Sequence, residues 1–574
     1  MTFELTAEQR AIAEAVTTGR HLVVQAGAGT GKTSTIEVLA DIAADHNISC
    51  LYLAFNKSIA GAVGKRFSRG NVMARTFHSV AFQIARGNSF IAPLMDKLGS
   101  DNALRPFDVA KYLGVESVHK IMTWEAKNRA DTGREYSPTT LYPHQVVGYA
   151  QASLTRWCQS ADEEIGPDHV VYPRNMAKAT AADAPEPDPS CLTREQYCEV
   201  VLGIARDIWN DIIDPVGRVR FTHDHYLKLV SLARPNFVET LGLPPGSIIF
   251  FDEAQDARPC MTSIVHDQAV PPVETVMYAG QRWSPRMQIV TVGDSCQAIY
   301  GSFTGARDAL PEFEKLPDSQ TLPLTTSWRF GQVIADTAND VLELLDAPIR
   351  LSGNPNISST VDTYTAASLN VEGAPDAVLV RTNNQLIEEV LHYQGRGYTT
   401  HAEADTRYIM NIVADVERLA DGQRPRNSDM RIFDSFADIE EYIDSEFSDP
   451  ALAMLLSIIL KHGTDVIRQA FDSTVTEDKA DVTVSTIHKS KGRQWDTVVV
   501  AMDAYRDVPR AVPEPGQLGE REKLMLIYVA FTRAKKRLFI PHDVADALDA
   551  LGRNGLWLPE SEDAEFTGKN SRGE

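Results

Sequence analysis

The chain has 574 residues, 43% of them hydrophobic, and a formal charge of −22 at pH 7. That length exceeds what one hydrophobic core supports and predicts about three or four domains; the acidic balance argues against indiscriminate binding to nucleic acid but leaves room for a narrow track that grips single strands. No run approaches the roughly 20 apolar residues of a membrane span, the opening Met-Thr-Phe-Glu-Leu-Thr lacks a secretory signal, and the six cysteines form no Cys-x-x-Cys pair. An unsecreted protein, cytoplasmic or nuclear, without zinc module, iron–sulfur cluster or disulfide framework is therefore expected.

In chain order, Leu5-Thr6-Ala-Glu-Gln9 has capping-box spacing and also suggests a glutamine that reads adenine. Both roles stay open. His21 to Ala26 is a short, β-branched strand that runs into Gly27-Ala28-Gly29-Thr30-Gly31-Lys32-Thr33-Ser34, a glycine-rich turn opening a helix. That order builds a phosphate cradle: backbone N–H groups converge on phosphate oxygens, Lys32 reaches the β and γ groups, and the Thr33 hydroxyl suits Mg²⁺. The strict pattern has glycine where this chain has Ala26. Helical text continues to about Asp45, and Cys50-Leu-Tyr-Leu-Ala-Phe55-Asn56-Lys57 reads as a second buried strand leading into a turn, completing βαβ grammar.

Residues 86–220 break the rhythm with mixed helical segments and a Pro/Ala/Asp-rich loop from Lys178 to Ser190, and read as an insertion. Strand text returns in Ser247-Ile-Ile-Phe-Phe-Asp252 and Gln288-Ile-Val-Thr-Val-Gly293. A second block has strands at Ala377 to Val380, Val482 to Thr486, Thr497 to Ala501 and Arg537 to Ile540, interrupted by a mostly helical stretch. The expected architecture is α/β, with two parallel-sheet domains in tandem, each carrying one mainly helical insertion. Their limits are 1–85 with 221–310, insertion 86–220, 311–385 with 480–560, and insertion 386–479. Residues 561–574 are polar and read as a disordered tail.

Phosphoryl transfer to water needs a held triphosphate, a neutralising cation, a positioned water and cations at the γ oxygens. Asp252 closes a strand, where ligands of open α/β sheets bind, so it is the candidate for Mg²⁺, with Glu253 orienting or deprotonating the water. An acidic pair after a strand also serves as a helix cap. Gln297, after the next strand, can donate and accept hydrogen bonds and so can report an attached γ-phosphate.

The series Gln9, Ala26 to Thr33, Ala54-Phe55-Asn56-Lys57, Thr76-Phe-His78-Ser79, Asp252 to Asp256, Gly293 to Tyr300, Ser327-Trp328-Arg329, Thr486-Ile-His488-Lys-Ser-Lys-Gly492 and Tyr528-Val-Ala-Phe-Thr-Arg533-Ala534 resembles the superfamily 1 helicase motifs, in the family's order. It is similar to the UvrD/Rep/PcrA branch. Ala54 to Ser58 and Thr222-His-Asp-His-Tyr-Leu-Lys228 are most similar to F-box DNA helicase and its phage and bacterial relatives. The resemblance implies RecA-like P-loop domains and the cofactors ATP and Mg²⁺. It puts Trp328 in the place of the aromatic that stacks on adenine, and Arg329 and Arg533 in those of the γ-phosphate arginines. Phe55, Asn56, Lys57, Thr76, His78 and Tyr300, with Thr486 and His488 from the second domain, match positions along the single-strand track. The implied partners are single-stranded DNA and its junctions with duplex, and candidate protein partners are recombinase filaments or replication and repair proteins.

Two departures stand out. The fifth motif's usual Lys-Gly-Leu-Glu is here Lys491-Gly492-Arg493-Gln494, which predicts an altered ribose contact, and the second insertion, about 95 residues, is well short of the UvrD regulatory subdomain. The expected activity is an ATP-dependent 3′ to 5′ single-strand translocase or helicase. The competing expectation is an ATP-switched DNA clamp or recruitment protein with slow turnover.

Overall fold

The computed structural model describes residues 5–54, 57–67, 69–99, 104, 106–126, 134–173, 175–176, 188–271, 273–365, 373–403, 405–427, 429–430, 433, 435–444 and 450–555. Two compact units divide the chain: Met1–Val24, Thr33–Gly293 and Tyr300–Leu322 form one, and Gln25–Lys32, Asp294–Ile299 and Pro323–Glu574 the other.

In the first part of the chain the strands are β1 (His21–Ala26), β2 (Cys50–Ala54), β3 (Val72–Thr76), β4 (His119–Ala126), β5 (Arg134–Leu141), β6 (Ile248–Asp252), β7 (Val276–Tyr278), β8 (Gln281–Trp283), β9 (Gln288–Gly293) and β10 (Ser319–Leu324). Six of them make one sheet in the order β10-β1-β9-β6-β2-β3, and β4-β5 and β7-β8 are separate antiparallel ribbons. The pairs β2/β3, β2/β6 and β6/β9 run parallel. Strands β1, β2, β6 and β9 are buried at every residue, as parallel strands covered on both faces must be, which explains their near-continuous apolar text. The helix Lys32–Asp45 turns Ile36, Leu39, Ala40 and Ala43 inward at helical spacing. Between β3 and β6 the helices Pro143–Gln159 and Arg194–Ile212 extend the same apolar core through Val147, Leu154, Trp157, Val201 and Ile208.

The second unit's sheet contains β11 (Thr360–Tyr364), β12 (Ala377–Val380), β13 (Thr400–Glu403), β14 (Val482–Thr486), β15 (Trp495–Val500) and β16 (Ala534–Pro541), ordered β11-β16-β15-β12-β14-β13 and parallel throughout. Two strands are longer than the sequence predicts. β15 starts at Trp495 with a register irregularity before Thr497, and β16 starts at Ala534. The reason is a charge match: Asp496 pairs with Lys535 at 2.5 Å and Lys536 at 2.6 Å, so a basic run can sit in a strand. Helices Thr406–Ala420, Phe436–Asp444, Pro450–His462 and Thr464–Asp472 interrupt this sheet in sequence and share its core through Ile409, Ile412, Leu456 and Ile467. All six cysteines are free and buried. Among the described residues no helix is long and apolar enough to cross a membrane. The predicted tail, and most of the predicted loop from Lys178 to Ser190, fall outside the described residues.

Candidate nucleotide site and single-strand track

The predicted phosphate loop leaves the fully buried β1, and Lys32 opens the helix that follows. Gly29 and Gly31 have φ of +74° and +86°, a region costly for any side chain. At Gly29 a Cβ would also come within 2.7 Å of both Arg329 Cβ and Ser327 Oγ, so glycine is needed for close approach as well. The loop is pinned by Thr30 Oγ1 donating to Gly27 O (2.9 Å), Gly27 N–H donating to Leu324 O (3.0 Å) and Trp328 N–H donating to Gly29 O (2.8 Å).

Around this loop the second unit gathers a buried polar chain. The Tyr528 hydroxyl accepts from Ala28 N–H (3.1 Å) and donates to Asp294 Oδ2 (3.0 Å), which also accepts from Gln297 Nε2 (2.7 Å). Gln297 Oε1 faces Arg533 Nη2 at 3.4 Å, and Lys491 Nζ donates to Gln297 O at 2.5 Å. Arg533 and Tyr528 are fully buried. Burial raises the Asp294 carboxyl, opposed by Lys32 and by hydrogen bonds from Gln297 and Tyr528. Arg533 is further fixed by Nε donating to Val529 O at 2.8 Å. Beside the loop opens a cavity of about 520 Å³ lined by Gly29, Trp328, Arg329, Ile357, Gln494, Asp496, Lys535 and Lys536. Trp328 is 42% exposed, which leaves its ring accessible to a stacking partner.

In the first unit, Gln9 is buried and completes the capping box: its Oε1 accepts from Thr6 N–H and its own N–H donates to Thr6 Oγ1, both at 3.1 Å. Its Nε2 also donates to Thr35 Oγ1 at 3.2 Å, tying the N-terminal helix to the one that carries Thr33 and Ser34. Asp252 ends β6, accepting from the Tyr52 hydroxyl at 2.6 Å and from Glu253 N–H at 3.0 Å. Glu253 has a φ of +51° and accepts from Gln255 Nε2 at 2.6 Å. A left-handed backbone at a non-glycine residue costs about 1–3 kcal/mol. Asp252, Glu253, Asp256 and Arg258 share a cavity of about 210 Å³ with His78.

That cavity joins the acidic loop to the predicted strand track. Thr76 ends β3 and caps the helix Phe77–Gly87 by accepting from Ser79 N–H at 3.2 Å; Thr486 ends β14 and caps Ile487–Ser490 in the same way. Each threonine is followed two residues later by a histidine. His78 Nδ1 lies 3.2 Å from the Tyr226 hydroxyl, and burial, then Arg258, lowers its pKa. Burial pushes His488 down to about 4, and Arg381 adds to the effect, so both rings are neutral near pH 7. Tyr300 precedes the short helix Gly301–Thr304, and Lys57 opens the helix Lys57–Gly64. Phe55 and Asn56 lie outside the described residues.

Residues 382–543 match the UvrD-like helicase C-terminal domain and residues 4–124 match an AAA domain. In its C-terminal part the chain is thus similar to UvrD-like helicases of superfamily 1. Similar proteins include F-box DNA helicase protein 1 of Schizosaccharomyces pombe, 27% identical over 95% of the chain and 58% of that protein. F-box DNA helicase 1 of Gallus gallus is 26% identical over 98% of the chain and 51% of that protein, and DNA helicase IV of Escherichia coli 26% identical over 64% and 51%. The chain thus spans about half the length of these relatives.

Several residues of the candidate site carry no local signal in the sequence. Tyr528 was visible as part of a motif, but its hydrogen bond to Ala28 spans 500 positions and leaves no local signal. Asp496, Lys535 and Lys536 lie next to the motif segments ending at Gln494 and Ala534, where a charge carries no local signal of the cavity it lines. Tyr226 is on the helix His223–Ala233 with its hydroxyl 3.3 Å from His223 and 3.2 Å from His78. Lys228, on the same helix, is buried over the Trp157 ring at 4.4 Å and donates to Ser160 O at 3.2 Å, a structural cation.

Proposed function

We propose that the chain is an ATP-driven motor that moves 3′ to 5′ along single-stranded DNA, unwinding duplex or displacing bound protein. The observation that supports this most is the grouping, in one compact unit, of the phosphate loop with Gln297, Trp328, Arg329 and Arg533. In this reading Lys32 and the loop amides bind the β and γ phosphates, Trp328 stacks on the base, and Gln9 reads its edge. Arg329 and Arg533 stabilise charge that develops on the γ-phosphoryl oxygens, and Gln297, already bonded to Asp294 and facing Arg533, relays γ-phosphate occupancy. Glu253 orients and deprotonates the attacking water.

Thr33 and Asp252 offer hard oxygen donors, and among the described residues no cluster of three or more His, Cys, Asp or Glu is built to cage a metal. That donor set fits Mg²⁺ held mainly by phosphate and water; when bound, the ion neutralises phosphate charge. Thr76, His78 and Tyr300 in one unit and Thr486 and His488 in the other supply two grips on the strand, as a stepping motor requires. Neutral imidazoles and an aromatic face bind any base sequence, and an acidic surface elsewhere limits non-specific adhesion.

The test is steady-state ATP hydrolysis with Mg²⁺, with and without single-stranded DNA of increasing length, beside Lys32→Ala. Stimulation that grows with length and is lost by about 10²-fold or more in Lys32→Ala is expected. Release of streptavidin from a 5′-biotinylated but not a 3′-biotinylated strand reads the polarity. Turnover that ignores DNA in the intact protein leaves the ATP-switched clamp as the better account.

A further inference from the structure

Gln494 lines the same cavity as Arg329, and its Oε1 accepts a hydrogen bond from Arg329 Nε at 2.7 Å. Arg329 Nη1 donates to Thr532 O at 2.8 Å. A side-chain amide and a backbone carbonyl therefore hold the guanidinium from two sides, while the stem rests against Gly29 of the phosphate loop, where no Cβ would fit. A planar fork fixed at two of its nitrogens is oriented before any ligand arrives.

Charge adds to the argument. The cavity wall carries three cations, Arg329, Lys535 and Lys536, against one carboxylate, Asp496. A carboxylate at 494 would hold Arg329 through a stronger, charge-assisted bond, but would add a negative charge directly beside it, where the cavity is to receive a polyanion. An amide gives the orientation without that charge. We infer that Gln494 is a positioning residue for Arg329, acting on the γ-phosphate through that arginine and not through the sugar. This rests on the nucleotide reading above.

The test is a double-mutant cycle of Gln494→Ala and Arg329→Ala, read as the ratio of ATP to ADP affinity by equilibrium titration, and as DNA-stimulated kcat and KM. Thermal melting checks that each variant is folded. Gln494→Ala is expected to lower the ATP-to-ADP preference and kcat by about tenfold, to add nothing in the Arg329→Ala background, and to leave the ratio of ATP to 2′-deoxy-ATP unchanged. Gln494→Glu is expected to weaken ATP more than ADP. Additive losses, or a shifted ATP to 2′-deoxy-ATP ratio in Gln494→Ala, overturn the inference and make Gln494 a direct ligand contact. A wild-type chain that binds no nucleoside triphosphate sinks the nucleotide reading itself, an outcome separate from additivity.

Discussion

Tyr528 shows how much of the candidate site rests on single hydroxyls. Its oxygen takes the Ala28 amide and gives its proton to Asp294, and all three groups are out of water. Tyr528→Phe keeps the ring and removes both bonds, leaving a buried amide without its acceptor and a buried carboxylate short of one donor. A loss of about 1–3 kcal/mol in stability is expected, measured by urea unfolding. An unchanged midpoint would show that water or a local rearrangement replaces the hydroxyl. At this scale the sequence was informative wherever chemistry depends on adjacent residues: the glycines that need positive φ, the capping pair Thr6 and Gln9, and Asp252 at a strand end could all be read locally. It was uninformative for Tyr528, Asp496 and Tyr226, because their partners lie far away in the chain and any buried or surface role would leave the same text.

The recurring element is a parallel strand that ends in threonine, a helix capped by that threonine's hydroxyl, and a histidine in the first turn, at Thr76 and again at Thr486. The cap satisfies an amide the helix would otherwise leave open, and it fixes where the histidine emerges. Thr76→Val keeps the β-branched shape and removes the acceptor, so a loss of about 1 kcal/mol is expected, with Thr76→Ser close to wild type. If thermal melting ranks serine with valine instead, the cap is not what the threonine supplies. Strand limits followed the same logic of local legibility. Ala377–Val380 and Val482–Thr486 were readable because apolar, β-branched text stops where they stop. β15 and β16 were underestimated because Asp496, Lys535 and Lys536 look like loop residues until they are paired across neighbouring strands.

Across the whole molecule, buried histidines tie stability to pH. Burial pushes His225 down to about 4, and its Nδ1 accepts from Thr222 N–H at 3.1 Å, which requires the neutral ring. Unfolded, the same ring titrates near its ordinary value of 6.5. Below 6.5 the unfolded chain therefore takes up a proton that the folded one refuses until about 4, so the contribution is complete above 6.5 and is lost as the pH falls through that window. A single such group is worth about 3 kcal/mol. His225→Asn should flatten the fall in melting temperature between pH 6.5 and 4 relative to wild type; parallel curves would assign the acid sensitivity to other groups. The two sheets themselves were legible as a whole because βαβ alternation appears twice with an interruption in each, while the internal order of the helical insertions, set by tertiary packing rather than by pattern, was not.

The six buried cysteines have a practical consequence. Burial pushes the Cys50 and Cys260 thiols up to about 12, so near neutral pH they are protonated as well as covered, and poor nucleophiles on both counts. Those two thiols offer a maleimide dye almost no thiolate to attack, and the other four are covered as well. One cysteine introduced on an exposed surface would then carry the fluorophore alone, and the chain could be watched one molecule at a time without first stripping its native thiols.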